Sequence, residues 1–410
     1  MRFLYEIAIR LYRFSIILAS LFNQKASGWV KGRQRIFSEL HREIDGSGTK
    51  LAWFHCASLG EFEQGRPIIE KFKHQFPDYK ILITFFSPSG YEVRKDYAMA
   101  DYIFYLPADT RINALRFVKI VKPDVLILVK YEYWYNYIDV LWKNNIPIYV
   151  VSGVFRKSQH FFKWYGFWFV KQLKKIHTFF VQDQQTADLL GSIGIDNTMI
   201  SGDTRFDRVV EIANKSMPIK PIGDFCEGKR IIVAGSSWPA DELMLANAKV
   251  LQQEDVKLIV VPHEVHPQHI SDVLNVFGAS AVTLSQFITN PSVHYSVLVV
   301  DKIGILSSIY QYADIAYIGG GFGKGIHNIL EAAAYSIPVL FGPKNEKFLE
   351  AAGLKASKSG FEITDEVSLN TTLEKLLNSP EDYAEACSGS AKYISENMGA
   401  TKLFLSNLKL

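Results

Sequence analysis

Ten short apolar runs punctuate the chain. They are 51–56, 80–85, 124–129, 147–152 and 178–182 in the first half, then 230–235, 257–262, 296–300, 315–318 and 337–341 in the second. The runs are continuous rather than alternating, which is the pattern of strands buried on both faces. Helical segments separate them, so the order predicts right-handed crossovers and parallel sheets. Residues 213–229 contain Pro218, Pro221, Gly223 and Gly228 with few large apolar side chains, and read as a linker. The expected architecture is α/β: two doubly wound, Rossmann-like domains, 26–212 and 230–385, facing a cleft, with ligands at the carboxyl ends of the strands. The end of the chain, about 381–410, reads as helical, and 386–410 is a candidate to pack back on the first domain.

Two other segments break this rhythm. Residues 3–22 are rich in large apolar side chains, yet Arg2, Glu6, Arg10 and Arg13 recur every three or four positions. At about 100° per residue these four share one stripe of a helix. The uninterrupted apolar run 14–22 is shorter than the roughly 20 residues a bilayer span needs. Residues 1–25 are therefore expected as a helix lying in a membrane interface; an amphipathic helix packed on the protein's own core is the alternative. Residues 155–175 interleave aromatic rings with Arg156, Lys157, Lys163, Lys171, Lys174 and Lys175. That mixture suits an anionic headgroup region, or a helix with a core face and a solvated basic face.

Composition narrows the class. The chain has 410 residues, 48% of them hydrophobic and 21% charged, which fits a folded two-domain protein. Its formal net charge of +3 is too small to imply nucleic acid. Cys56, Cys226 and Cys387 lie far apart, form no metal-ligand spacing and point to a reducing compartment. No H-x-x-x-H, C-x-x-C or D-x-D pattern is present, so no metal site is expected.

Candidate chemistry collects after the apolar runs. Ser58, Gly60 and Glu61 follow the first. Glu61 would sit at the carboxyl edge of that strand and could accept a proton from an attacking hydroxyl, or it could complete an S-x-x-E capping box with Ser58. Ser87 and Ser89 follow the second run and could cap a helix or bind a polar ligand. Lys130, Glu132 and Asn136 follow the third, within an aromatic-rich helix start. In the second half Ser236 and Ser237 sit at a strand-to-helix turn, and His263 and His266 lie in PHEVHPQH. The most informative stretch is 315–341. A strand runs into Gly319, Gly320, Gly321, Phe322 and Gly323, with Lys324 beyond, and a helix is expected to open near His327 and Asn328. Glycines admit close approach of a ligand, and a helix start presents free N–H groups to a phosphate. Asn328 and Glu331 could cap reciprocally, or Glu331 could bind ribose hydroxyls. The spacing is not that of a dinucleotide fingerprint; it fits the sugar-nucleotide site of a glycosyltransferase.

In order along the chain, ASLGEFEQ, TFFSPSG, YEYWYN, GDTRFD, AGSSWPADE, VPHEVHP and GGGFGKGIHNILEAAAYSIPVLFGP resemble the Kdo (3-deoxy-D-manno-octulosonic acid) transferases. The resemblance implies a GT-B fold and an inverting, metal-independent transfer of Kdo from CMP-Kdo to the lipid A precursor, with no separate cofactor. It implies Glu61 as general base. It implies contacts of His327, Asn328 and Glu331 with CMP, and Gly320 and Gly321 lining the nucleotide pocket with Ser236 and Ser237 nearby. The chain departs from the family at Lys130, where glutamate is common, and at His263 and Glu264, where Arg-His is common. Lys130, His263, His266 or Lys324 could supply the missing cation. The acceptor and membrane side would comprise Ser58, Gly60, Ser87, Ser89, Lys130, Glu132, Asn136, Arg156, Lys157 and Lys163. The implied location is the cytoplasmic face of the inner membrane of a Gram-negative bacterium, with that anionic membrane and the lipid A precursor as partners. The rival readings are an epimerase or hydrolase of the same fold and a non-catalytic sugar-nucleotide-binding protein.

Overall fold

The computed structural model describes residues 1–44, 48–292 and 294–410. The chain forms two units, Met1–Arg208 with Met398–Leu410, and Val209–Asn397. The first carries seven strands: β1 (Leu51–Cys56), β2 (Lys80–Phe85), β3 (Tyr102–Tyr105), β4 (Val125–Val129), β5 (Ile148–Gly153), β6 (Thr178–Val181) and β7 (Thr198–Ile200). They form one parallel sheet in the order β3-β2-β1-β4-β5-β6-β7. The second unit carries β8 (Arg230–Ser237), β9 (Val256–Pro262), β10 (Ala281–Thr283), β11 (Val297–Val299), β12 (Ile315–Ile318), β13 (Val339–Phe341) and β14 (Gly360–Glu362). This sheet is also parallel, in the order β10-β11-β9-β8-β12-β13-β14.

Both faces of each central strand are apolar, as continuous runs require. In β1, Trp53 packs with Phe117, Leu82 and Leu126 on one face. Ala52, Phe54 and Cys56 pack on the other, with Ile83, Phe85 and Val129. The helix Ala400–Asn407 closes this second face, laying Phe404 against Phe180 at 5.0 Å and Tyr149 at 6.0 Å. Asp207 fastens its start by accepting the Gly399 and Thr401 N–H groups, both at 2.7 Å.

Three expectations are corrected. Residues 213–229 are not a bare linker: they carry the helix Lys220–Cys226, whose Ile222 and Phe225 are buried in the second unit. Pro221 in its first turn and Gly228 at φ +68° punctuate that helix rather than unwinding the segment. Residues 155–175 are not one helix. A 3₁₀ turn, His160–Phe162, and a short helix, Phe167–Leu173, meet at Gly166. Any Cβ there would lie 2.4 Å from the His160 carbonyl oxygen. The helix after the glycine turn begins at Leu330 rather than near His327, and runs only to Ala333.

Each sheet has one place where neighbouring strands lead their crossovers in opposite directions, between β1 and β4 and between β8 and β12. Such switch points open a crevice at the carboxyl ends of the strands.

Candidate functional site

At the first switch point the chain leaves β1 through Ser58, which N-caps the helix Leu59–Gln75. The Ser58 side chain does not bond the helix backbone; its hydroxyl donates to the Glu61 carboxylate. Glu61 is thus held in the first helical turn, where a negative charge meets the positive end of the helix. Gly60 is exposed beside it. The chain leaves β4 through Lys130, a non-glycine residue at φ +72°. Burial, then the Arg205 charge, lowers the Lys130 ammonium below the usual lysine range. Burial, then the Glu61 charge, raises the Glu132 carboxyl to about 7. Glu61 and a second carboxyl, Glu132, whose pKa is raised, therefore share this end of the sheet, an arrangement suited to acid–base chemistry.

A buried polar frame supports them. The Trp134 indole N–H donates to His55 Nε2 at 2.9 Å, so Nδ1 carries the proton and donates to Thr84 Oγ1 at 2.8 Å. Trp53 Nε1 donates to the same oxygen at 2.7 Å. Burial depresses His55 to about 3, so this ring is a neutral strut. Nothing in the local sequence marks His55 or Thr84 as partners, because the bonds cross between strands.

Several residues expected on the acceptor side have other roles. Asn136 is buried; its backbone N–H donates to Asp109 Oδ2 at 3.1 Å and its amide to the Asp109 carbonyl at 2.7 Å. Ser87 caps the helix Pro88–Arg94 and shares a 2.8 Å hydrogen bond with Ser89. Arg156, Lys157 and Lys163 are exposed, and the Arg156 charge reaches Lys130 and Tyr131, which also feel Glu61.

The amino-terminal helix, α1 (Arg2–Ala19), turns Arg2 and Glu6 inward, while Arg10 and Arg13 of the same stripe are exposed. Arg2 pairs with Asp139 at 3.0 Å, Tyr5 donates to Asp109 at 2.6 Å, and Glu6 accepts the Arg111 N–H at 3.0 Å. Asp139 also takes Lys143 and Lys175; burial alone would raise its carboxyl, but these cations hold it at about 2. The opposite face points outward, with Phe3, Leu11, Phe14 and Leu18 exposed, and Leu21 and Phe22 are exposed just beyond the helix end. Trp164 and Phe167 are exposed too, while Trp168 packs against Tyr5 at 5.6 Å. No helix among the described residues is long and apolar enough to cross a membrane.

At the second switch point, Gly319, Gly320 and Gly321 follow β12. A Cβ on Gly319 would lie 2.3 Å from the Ser236 carbonyl oxygen, and one on Gly321 2.5 Å from Gly342 Cα, so the two turns touch through backbone. Asp241 clamps them together. It accepts the Trp238 N–H and the Gly320 N–H at 2.9 Å each, and the Tyr317 hydroxyl at 2.8 Å. The Gly320 N–H is therefore committed within the protein. Ser236 stands at φ +53°. Ser237 is fully buried and donates to Glu242 at 2.8 Å, with His269 on the other Glu242 oxygen at 3.1 Å. His266 caps the helix Pro267–Phe277. Neither the Ser237 hydroxyl nor His266 Nδ1 is turned to a ligand.

What gathers at the glycine turn instead is a set of rings. Trp238 Nε1 donates to His327 Nε2 at 2.9 Å, and the two rings are nearly coplanar, 9° apart. His263 lies across both, its centroid 4.9 Å from Trp238 and 4.3 Å from His327. Burial, then the neighbouring His263, lowers the His327 pKa, and the Trp238 donor fixes its tautomer with the proton on Nδ1. Lys324 is exposed on the turn. Asn328 donates to Glu331 at 2.8 Å and accepts the Leu330 N–H at 3.3 Å. In the sequence Trp238 and Asp241 stand within the AGSSWPADE segment with no role marked for them. Among the described residues no group of three or more His, Cys, Asp or Glu side chains is placed to hold a metal.

Comparison with known proteins gives this geometry a context. A family model described as 3-Deoxy-D-manno-octulosonic-acid transferase (kdotransferase) matches residues 31–208. The 3-deoxy-D-manno-octulosonic acid transferase of Aquifex aeolicus is 30% identical over 340 residues, covering 80% of this chain and 86% of that one. Its Rickettsia bellii counterpart is 27% identical over 362 residues, covering 85% and 84%. Among solved structures, UDP-GlcNAc 2-epimerase from Neisseria meningitidis bound to UDP-GlcNAc aligns with a TM-score of 0.61 at 14% identity, covering 87% of this chain and 98% of that one. That likeness is one of fold.

Proposed function

The chain belongs to the 3-deoxy-D-manno-octulosonic acid (Kdo) transferase family, and on that premise we propose that it moves Kdo from CMP-Kdo to the lipid A precursor lipid IVA. It is a glycosyltransferase, and Kdo transfer places it in lipopolysaccharide synthesis. The observation that carries the finer reading is the Glu61 carboxylate, held by Ser58 in the first turn after β1. A carboxylate there removes the proton from an acceptor hydroxyl. The hydroxyl oxygen then bonds to the Kdo anomeric carbon as its bond to the CMP phosphate breaks, and CMP departs with the electron pair. One displacement inverts the anomeric centre. The nucleotide is already a good leaving group, so no metal and no second acid is required.

On this reading Glu61 is the base, and Glu132, pushed up to about 7 by burial and then by the Glu61 charge, still holds its proton about half of the time near neutral pH. The donor's nucleotide binds in the second unit, at the turns of Ser236 and Gly321. His327 Nδ1–H and the His263 ring offer donors to the departing phosphate, which answers the absence of the family arginine at 263. The outward apolar face of α1, with Trp164 and Phe167, rests in the interfacial layer of an anionic inner membrane on its cytoplasmic side. Incubation of the full chain with CMP-Kdo and a tetraacylated lipid A precursor, with and without chelator, tests the reading by mass spectrometry. A Kdo adduct insensitive to chelator is expected; no adduct, or one abolished by chelator, contradicts it.

A further inference from the structure

The turns that carry Glu61 and Lys130 leave the first sheet side by side. β1 and β4 are parallel neighbours with His55 opposite Leu128, so Ser58 and Lys130 begin adjacent turns at the same edge. Lys130 stands at φ +72°, a conformation that glycine would adopt without strain. Its backbone is pinned there. The N–H donates to the Val151 carbonyl at 2.8 Å, and the Lys130 carbonyl accepts the Tyr133 hydroxyl at 3.4 Å. A long cationic side chain kept at a strained position points to a use for that side chain.

The ammonium is uncommitted. It is half-buried, lies 5.5 Å from the centre of the Tyr131 ring, and makes no hydrogen bond or ion pair among the described residues. Its neighbours are engaged elsewhere: Arg205 pairs with Asp203 at 2.7 Å, and Ser58 donates to Glu61. The Asp203 and Glu61 charges favour the ammonium, but burial and the Arg205 charge outweigh them. A cation held in that condition gains most from an anion that arrives with the substrate. Glu61 and Lys130 feel one another without pairing, which leaves the carboxylate free for a proton and the ammonium free for an anion.

The reaction supplies that anion. An octulosonic acid carries its carboxylate on the anomeric carbon itself. In a reactive complex the acceptor oxygen lies about 3 Å from that carbon, and the base about 3 Å from that oxygen. The sugar carboxylate and the Glu61 carboxylate are thus drawn close together, and two like charges at such range repel. A cation beside the base offsets the repulsion.

We propose that Lys130 recognises the carboxylate of the donor sugar, its ammonium pairing with that group while Glu61 takes the acceptor proton. The assignment rests on Kdo being the sugar transferred, as the proposed function holds. It makes Lys130 a specificity-determining residue. A neutral sugar on the same nucleotide would leave the half-buried ammonium unpaired and be rejected.

The test uses the full chain and two unreactive analogues of CMP-Kdo, in which a methylene replaces the bridging oxygen. One has the free sugar carboxylate and the other its methyl ester, and both are titrated by calorimetry beside CMP. The wild type should bind the acid more tightly than the ester by about tenfold or more, as one charge-assisted contact would give. Lys130→Met, folded by circular dichroism, should lose that preference and keep its affinity for CMP. Lys130→Arg should retain part of the preference, and Lys130→Glu should favour the ester. Lys130→Met combined with Glu61→Gln separates recognition of the sugar from mere balancing of the base. The preference stays lost if Lys130 meets the carboxylate, and returns if the lysine only offset Glu61. A preference that persists in Lys130→Met, or returns in the double variant, overturns the proposal. Transfer by the wild type is scored separately. Transfer from CMP-Kdo, with an acid preference that Lys130→Met does not change, removes the Lys130 assignment alone. No transfer, with neither analogue bound better than CMP, removes the transferase reading and the assignment with it.

Discussion

Tyr5, near the start of the chain, donates its phenol to Asp109 at 2.6 Å, and that carboxylate also receives the backbone N–H groups of Asn136 and Tyr137. No residue of α1 is fully buried, so this bond, the Arg2–Asp139 pair and the Glu6 contact hold the helix together with the packing of Tyr5 on Tyr135 and Trp168. Tyr5→Phe removes one bond to a carboxylate, a loss of about 1.5–3 kcal/mol confined to α1. Hydrogen exchange over residues 2–19 should quicken by about tenfold or more while the β-sheet amides keep their protection.

The two raised carboxyls fix a pH dependence. Burial lifts Asp109 from 3.8 to about 7, and burial with Glu61 lifts Glu132 from 4.5 to about 7. The folded chain therefore binds more protons than the unfolded chain between those values. Stability is full below about pH 4 for these two groups and is lost as pH rises through 7. Thermal midpoints should fall between pH 5 and pH 8. Glu132→Gln, which imitates the protonated form, should flatten part of that slope. It should be more stable than the wild type at pH 8, by on the order of 1–2 kcal/mol after discounting for partial exposure, and equal to it at pH 5.

Trp238 holds His327 neutral by donating to its Nε2. Trp238→Phe keeps the stacked ring and removes the donor to the neutral imidazole, so the His327 pKa should rise. Imidazole nitrogen shifts followed against pH would show it directly, with no ligand present.

The outward face of α1 makes a further prediction. Leu11 and Leu18 are 60% and 50% exposed, so changing both to glutamate removes little packing within the fold. The thermal midpoint should stay within the span of ordinary surface substitutions, about 0.5 kcal/mol. Partition onto anionic vesicles should fall by at least tenfold, because each leucine otherwise gains about 1.5–3 kcal/mol on entering an apolar layer.

Much of this architecture could be read from the chain. All ten apolar runs contain strands, and the two switch points fall where the candidate residues cluster. The strands that the pattern missed, β3, β7, β10 and β14, are the four sheet edges. They are only three or four residues long, and all but β10 are half-buried or exposed at several positions, so they give no continuous run. The stripe of Arg2, Glu6, Arg10 and Arg13 was legible, but not its direction. Which face of a helix turns inward depends on Asp109 and Asp139, more than a hundred residues away. Separation in sequence also hid Asp241 as the clamp on Gly320, 79 positions away, and the His55–Thr84 bond, across 29. Local spacing finds residues that cap helices or follow strands; it does not find the partner that commits a side chain elsewhere, as Glu242 commits Ser237 and Asp109 commits Asn136.

The role of Glu61 is tested most directly by Glu61→Gln, which preserves shape and the Ser58 contact but cannot take a proton. Turnover of CMP-Kdo with the lipid A precursor should fall by at least about a thousandfold, with CMP affinity within about twofold of the wild type. Turnover of the variant within tenfold of the wild type would show that another group removes the proton.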